Sequence, residues 1–91
     1  MSEPSHDFFT LEDLAQLCAV EREWVARHVA EGLLASDAMK QHFTAAALVR
    51  ARRMHQIERD FDAVPELAAL FADLLEEMDA MRATLRRRGL G

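Results

Sequence analysis

The chain has 91 residues and a net charge of −5, with 51% hydrophobic and 30% charged residues. This length suits one small domain and excludes a catalytic cleft joined to a second domain. The chain has a single cysteine, Cys18, which excludes an internal disulfide and a metal site built from several cysteines. No apolar stretch is long enough to cross a bilayer. Residues 1–8 are predicted to be a flexible lead without the basic start and apolar run of a signal peptide, so we expect a cytoplasmic protein.

The first two predicted helices are short and lie close together in the sequence. Thr10 with Asp13 three residues later resembles a capping box, which predicts a helix over about residues 11–18. A short turn leads to a second helix over about residues 21–30, whose apolar side chains keep helical spacing. Gly32 is expected to end this second helix as a C-terminal cap.

The middle of the chain combines a segment without helical periodicity with a third helix. Residues 33–43 have no helical period and favour a short β-hairpin or wing. Thr44 is a good N-cap for a helix over about residues 45–60. These elements together make up a predicted head over residues 9–61.

The last part of the chain, residues 62–91, is predicted to form one long helix that begins at Pro65, because proline is tolerated in a first turn. Large apolar side chains recur along it at alternating spacings of three and four residues, which is the pattern of a heptad seam. A head of three short helices cannot cover this seam together with Leu70 and Leu75, so the pattern favours a homodimer. The alternative is a core helix within one chain. The seam residues are Val64, Leu67, Phe71, Leu74, Met78, Met81 and Leu85.

Charge is distributed in blocks along the chain. Acidic residues outnumber basic ones over residues 1–49, residues 60–81 contain seven acids and no base, and residues 82–88 contain four arginines. Acidic surfaces repel phosphate and suit a basic protein surface. The acids that we expect to face such a partner are Glu12, Asp13, Glu21, Glu23 and Glu31 in the head and Asp73, Glu76, Glu77 and Asp79 in the long helix.

The order of these elements carries a resemblance to a known family. Two short helices joined by a tight turn, then Glu31-Gly32-Leu33-Leu34, a wing-sized segment and Phe43-Thr44 at the start of a helix resemble the winged helix-turn-helix of MerR-type regulators. Within that group the chain most resembles the chaperone-modulator family CbpM, in which a MerR-like head precedes one long C-terminal helix. The chain departs from members of this family at residues 62–65, a joint that contains a proline, and at residues 86–88, which are three consecutive arginines. The segments that carry the second resemblance are residues 9–14, 29–34, 51–55, 58–61 and 74–82.

This resemblance implies an all-α fold with at most one minimal β-wing, a long dimerisation helix and a specific function. Members of the CbpM family bind the J-domain of the DnaJ-like co-chaperone CbpA and keep it from stimulating its DnaK-type chaperone partner. The family's partner presents a basic helix, which agrees with the acidic surfaces that the charge pattern predicts. No cofactor and no metal are implied.

The main alternative is a DNA-binding transcriptional regulator of the MerR type, because helix-turn-helix heads commonly read DNA. Such a head contacts bases and phosphates from its second helix, mostly through Arg and Lys. Here the second helix opens with Glu21-Arg22-Glu23, and residues 26–29 are Ala-Arg-His-Val where MerR regulators usually have Arg-Tyr-Tyr-Glu, so most of the basic and aromatic contact set is missing. The wing contributes Lys40 alone. Phosphate attraction is therefore predicted to be weak, and we expect no tight binding of DNA.

The chemically notable side chains favour a structural role over catalysis, so no enzymatic function is expected. Catalysis needs a nucleophile beside a base, a metal site or a pair of perturbed carboxylates, and none of these patterns is visible. The histidines His6, His28, His42 and His55 are too evenly spread for a local pair of metal ligands. Trp24 keeps helical spacing with its apolar neighbours and is predicted to be a core or half-buried anchor rather than a binding hot spot.

Overall fold

The computed structural model describes residues 8–36 and 42–89, and these residues form four α-helices without a β-sheet. The helices are α1, Leu11–Cys18; α2, Arg22–Ala30; α3, Ala45–Phe61; and α4, Pro65–Arg87. The predicted all-α class is confirmed for this part of the chain. None of these helices combines the length and the apolar composition that a membrane crossing requires.

Threonine side chains set where α1 and α3 begin. The Thr10 hydroxyl accepts from the Asp13 amide at 3.0 Å, and the Asp13 carboxylate accepts from the Thr10 amide at 3.0 Å, which completes the predicted capping box. The Thr44 hydroxyl accepts from the Ala47 amide at 3.1 Å and caps α3 as predicted. α3 then runs to Phe61, one residue beyond its predicted end.

Left-handed backbone conformations end the two short helices. Ala19 follows α1 with a φ of 58° and turns the chain toward α2. After α2, the amides of Gly32 and Leu33 donate to the carbonyls of Val29 and His28 at 3.0 and 2.8 Å, and Gly32 has a φ of 77°. This pair of bonds is a Schellman ending, which confirms the predicted glycine cap.

α4 follows a sharp joint and contacts α3 through its smallest side chains. Asp62 ends α3 with a φ of 53°, and Pro65 lies in the first turn of α4 as predicted. The buried residues of α4 are Ala68, Ala69 and Ala72. Because these side chains are small, the two helix backbones approach closely while the larger side chains of α4 stay outside the core.

The hydrophobic core lies between α1, α2 and α3, with α4 added along α3. Cys18 is buried in it, and this burial raises the pKa of the thiol although Arg52 acts in the opposite direction. Because the thiolate is the nucleophilic form of cysteine, a raised pKa makes this thiol less reactive near neutral pH. The largest fully buried side chains are Phe43, Leu14, Met54, His28 and Val25.

The predicted wing falls partly on residues 37–41, which lie outside the described residues. In the part of the chain that is described, one β-type pairing joins Phe9 to Phe43, whose amides each donate to the other's carbonyl at 2.8 and 2.7 Å. Leu34 is buried in the core. The described flanks of the wing are therefore tied to the core and to the start of the head. Of the predicted lead, residues 1–7 also lie outside the described residues.

Candidate functional site

A stripe of large apolar side chains runs along α4 on the side away from α3. Its members are between 43% and 65% exposed. The stripe lies opposite Ala69 on the helix, because residues three and four apart share a face. An exposed apolar patch of this extent is typical of an interaction surface. This set, the α4 stripe, contains all the predicted seam residues and consists of Val64, Leu67, Leu70, Phe71, Leu74, Met78, Met81 and Leu85.

Two apolar grooves lie along the α4 stripe, one near each end. We call the groove beside the joint between α3 and α4 the elbow groove, and it has a volume of about 440 Å³. We call the groove near the end of α4 the C-terminal groove, and it has a volume of about 330 Å³. Phe61 is 76% exposed at the elbow groove, so this groove is open to an apolar side chain from outside. The elbow groove is lined by Ile57, Phe61, Ala63, Leu67 and Phe71. The C-terminal groove is lined by Ala80, Met81, Thr84 and Leu85.

Ion pairs between α3 and α4 engage most of the α4 acids. The Arg50 guanidinium contacts Asp73 at 2.7 Å and Glu76 at 3.0 Å, and Arg53 contacts Asp79 at 2.7 Å. Three of the four α4 acids that we expected to face a partner are thus paired inside the chain. The same ion pairs involve Arg50 and Arg53, which are two of the arginines of α3.

Arg50 also connects α4 to the head. Its Nε donates to the Leu33 carbonyl at 2.8 Å, just after the end of α2. Burial acts to lower the pKa of Arg50, but the hydrogen bonds with Glu76 and Asp73 raise it further, so the net shift is upward. The charged guanidinium therefore contacts the Leu33 carbonyl after α2 and the carboxylates of Asp73 and Glu76 in α4.

The acids of the head divide into engaged and unengaged groups. Glu12 pairs with Arg22 at 2.8 Å, with both side chains 63% exposed, and Asp13 is used in the capping box with Thr10. The others lie on the surface around α2. Within the described residues, the predicted partner-facing acids that have neither an ion pair nor a capping contact are Glu21, Glu23, Glu31 and Glu77.

A cluster of polar side chains joins α2 to α3. The Trp24 indole nitrogen donates to one Glu58 oxygen at 3.0 Å, and Nε2 of His28 lies 2.8 Å from the other. Nδ1 of His28 lies 2.7 Å from the Trp24 carbonyl. The Trp24 and His28 rings stack with centroids 3.7 Å apart, and His55 meets the edge of the indole at 5.8 Å. The Trp24 ring is therefore held in one orientation.

His28 is the buried polar side chain of the described core, at 1% exposure. Both ring nitrogens face oxygen acceptors, so the ring satisfies both contacts when both nitrogens carry hydrogen. Trp24 is half-buried, as predicted. Trp24 and His28 are four residues apart on a helix, so the sequence indicated that their side chains lie on the same face. Glu58 lies 30 residues from His28 in the sequence, and no local pattern indicated its contact with His28.

A surface depression of about 380 Å³ opens beside Trp24. Its acidic rim consists of Glu21 and Glu23, and Arg27 contributes one positive charge. The depression thus combines an aromatic ring of fixed orientation with carboxylates. We call it the Trp24 depression, and its lining is Ala19, Val20, Glu21, Glu23, Trp24, Arg27 and His55.

Comparison of the chain with protein-family models, with curated proteins and with solved structures found no match. Across residues 8–36 and 42–89, no three or more His, Cys, Asp or Glu side chains converge in a way that could hold a metal ion. The candidate binding surfaces of the described residues are therefore the acidic surface around α2, with Glu21, Glu23 and Glu31, and the α4 stripe.

Proposed function

We propose that the chain is a modulator of the CbpM type, which binds the J-domain of a DnaJ-like co-chaperone of the CbpA type in the cytoplasm and inhibits its stimulation of a DnaK-type chaperone. The observation that carries this proposal is the face of α2, where Glu21, Glu23 and Glu31 are exposed without ion pairs in the described residues. This face repels a polyanion and attracts a basic helix. The order of the helices, with a short-helix head before one long helix, adds support.

The Trp24 depression supports docking at the α2 face. Glu58 and His28 hold the indole, so a partner meets an aromatic surface that loses little freedom on binding. Lys or Arg from the partner pairs with Glu21 and Glu23 and packs over the indole. Apolar contacts supply most of the affinity, and the charges set the encounter rate and orientation. Arg27 opposes part of this attraction.

The α4 acids contribute less to docking in this proposal. Asp73, Glu76 and Asp79 already contact arginines of α3, so a partner must replace existing ion pairs and gains little from doing so. Glu77 is the α4 acid of the predicted set without such a pair in the described part. It therefore serves as the matched control for the α2 acids.

Charge reversal tests the docking face. By isothermal titration calorimetry with a purified CbpA-type J-domain at about 0.15 M salt, we expect the double change Glu21→Lys and Glu23→Lys to raise Kd about tenfold or more. Glu77→Lys should change Kd less than about twofold. If the unaltered chain shifts duplex DNA on a gel at the same salt and binds no J-domain, the MerR-type regulator is the correct function instead.

We also propose that the chain forms a homodimer through the α4 stripe. Leu74 is 49% exposed near the middle of the stripe, so a carboxylate there prevents burial of the stripe against a second copy. Leu74→Asp should give monomers by light scattering, while Gln16→Asp, on the exposed side of α1, should leave the dimer mass unchanged. A dimer that persists in Leu74→Asp would remove this part of the proposal.

A further inference from the structure

The last turns of α4 extend past its contacts with α3 and carry a strong positive charge. The buried residues of α4 end at Ala72, and its last described ion pair with α3 joins Asp79 to Arg53. We call residues 80–88 the arginine arm, because they contain four arginines and no acid. The arm includes residues 86–88, where the chain departs from the CbpM pattern, so its role is not explained by that resemblance.

The arginines of the arm are exposed and largely without partners. Arg82 makes a long contact of 3.4 Å with Asp79, which Arg53 already contacts at 2.7 Å. In the part of the chain that the structure describes, the arginines at 86–88 have no ion pair. A helix C-terminus offers a negative charge of about half a unit, so one arginine is enough to complement it. The arm therefore has positive charge available for a partner.

The acids of α4 do not cancel this charge. Asp79 is the last acid of the chain, and residues 86–88 lie about 10–14 Å beyond it along the helix, because each residue rises 1.5 Å. At about 0.15 M salt, charges are screened over about 8 Å. Leu85 belongs to the α4 stripe, and Arg87, two residues further on, lies on nearly the opposite side of the helix. Arg87 therefore stays accessible when a second copy covers the α4 stripe.

The Trp24 depression has the chemistry that fits the arginine arm. It combines the exposed carboxylates of Glu21 and Glu23 with an indole that Glu58 holds in one orientation. Guanidinium groups bind carboxylates through parallel hydrogen bonds and stack on aromatic rings, among which the indole is the best cation surface. Arg27 opposes the contact with one positive charge, but the two carboxylates outnumber it.

The arm does not occupy the Trp24 depression of its own chain. The lining of the depression comes from α2, from the turn before α2 and from α3, and no lining residue belongs to α4. α4 continues as a helix through Arg87, so the arm would reach its own depression only if the helix broke. An arm that docks in a Trp24 depression therefore comes from a second copy.

The acids at the elbow, the joint between α3 and α4, fit the arm less well. Arg59 contacts Asp60 at 3.4 Å, so part of the negative charge there is already paired. Asp62 and Glu66 are exposed, but the aromatic ring of this region is Phe61, which attracts a cation less strongly than an indole does. The elbow acids therefore serve as a matched control for the acids of the depression.

We infer that the arginine arm of one copy docks in the Trp24 depression of a second copy and competes there with the basic partner. This inference rests on the docking face of the proposed function and adds regulation to it. As its concentration rises, the chain covers its own binding site, and a J-domain has to displace the arm. The contact joins two different surfaces, so it does not require the α4 stripe.

Fluorine NMR of the single tryptophan tests this contact. The acceptor is the full chain with Arg86→Gln, Arg87→Gln and Arg88→Gln, grown with 5-fluorotryptophan, which keeps the N–H that Glu58 accepts. The titrant is the unaltered chain without fluorine, and it should shift the Trp24 signal until saturation at about 0.15 M salt. The control titrant is the same triple variant without fluorine, which exchanges through the α4 stripe but lacks the arm charges. Equal responses to the two titrants would overturn the inference.

Substitutions in the acceptor locate the docking site. Adding Glu21→Lys and Glu23→Lys turns two attractive charges into repulsive ones and should raise the apparent Kd for the unaltered chain about fivefold or more. Adding Asp62→Asn and Glu66→Gln instead should change this Kd less than about twofold. The reverse order of effects would place the arm at the elbow and overturn the inference.

A J-domain separates the arm contact from the proposed function. An excess of unlabelled CbpA-type J-domain should displace the arm and remove the shift that the arm causes. A J-domain that binds the chain without displacing the arm would overturn the competition. A J-domain that does not bind would overturn the proposed function, while the fluorine titration with the unaltered chain would still decide whether the arm docks.

Discussion

Glu58 accepts hydrogen bonds from two side chains of another helix, so its removal has a defined energetic cost. Glu58→Ala leaves the Trp24 indole nitrogen and Nε2 of His28 without a protein partner. His28 is 1% exposed, and a buried polar group that loses its partner costs about 1–3 kcal/mol. Trp24 is half-buried, so water restores part of its bond. We expect the free energy of unfolding to fall by about 2–4 kcal/mol, a large share of the roughly 5–10 kcal/mol typical of a small domain.

The assay is urea unfolding followed by far-ultraviolet circular dichroism, with the fluorescence of the single tryptophan as a local signal. Glu58→Gln retains an acceptor oxygen and should lose about 1–2 kcal/mol. Gln56→Ala, on the exposed side of the same helix, is the control and should stay within about 0.5 kcal/mol of the unaltered chain. If Glu58→Ala also stays within that margin, the cluster does not hold α2 against α3 and the reasoning is wrong.

Three further changes have defined outcomes. Arg50→Met leaves the Leu33 carbonyl and two carboxylates without their donor, so the free energy of unfolding measured in urea should fall by about 1–3 kcal/mol. This loss should become smaller at high salt, because salt screens the ion pairs. A loss that does not change with salt would exclude the ion pairs as its source. Ala19→Gly relieves a left-handed backbone at φ 58° and should stabilise the chain by about 0.5–1 kcal/mol, whereas a lower thermal midpoint would contradict that geometry. Burial raises the pKa of the Cys18 thiol. A thiol-specific disulfide reagent near pH 8 should therefore react with the folded chain about tenfold more slowly than with the urea-unfolded chain. Equal reaction rates would place the thiol at the surface.

The limits of the helices were predictable because their signals are local. Thr10 and Thr44 each cap a helix through a backbone amide three residues away, and Gly32 supplies a left-handed conformation that other residues adopt at a cost. Pro65 marks the start of α4 for an equally local reason. The alternating spacing of large side chains likewise showed which face of α4 would be apolar.

The contacts of the charged residues were not predictable, because they join residues far apart in sequence. Nothing in the charge pattern distinguished Glu76, which Arg50 engages, from its neighbour Glu77. The distinction depends on which side of α4 faces α3, and alanines too small to stand out in a hydrophobic pattern determine that side. The Glu58 contacts with α2 were hidden for the same reason, since 34 residues separate it from Trp24.

In the function proposed above, the chain captures a J-domain and thereby removes it from its chaperone. The most direct test is the ATPase rate of a DnaK-type chaperone stimulated by a CbpA-type co-chaperone, measured while this chain is added in increasing amounts. The rate should fall to the unstimulated level near stoichiometric amounts, and the chain with Glu21→Lys and Glu23→Lys should require about tenfold more. A stimulated rate that stays constant at a large excess of the unaltered chain would contradict the claim.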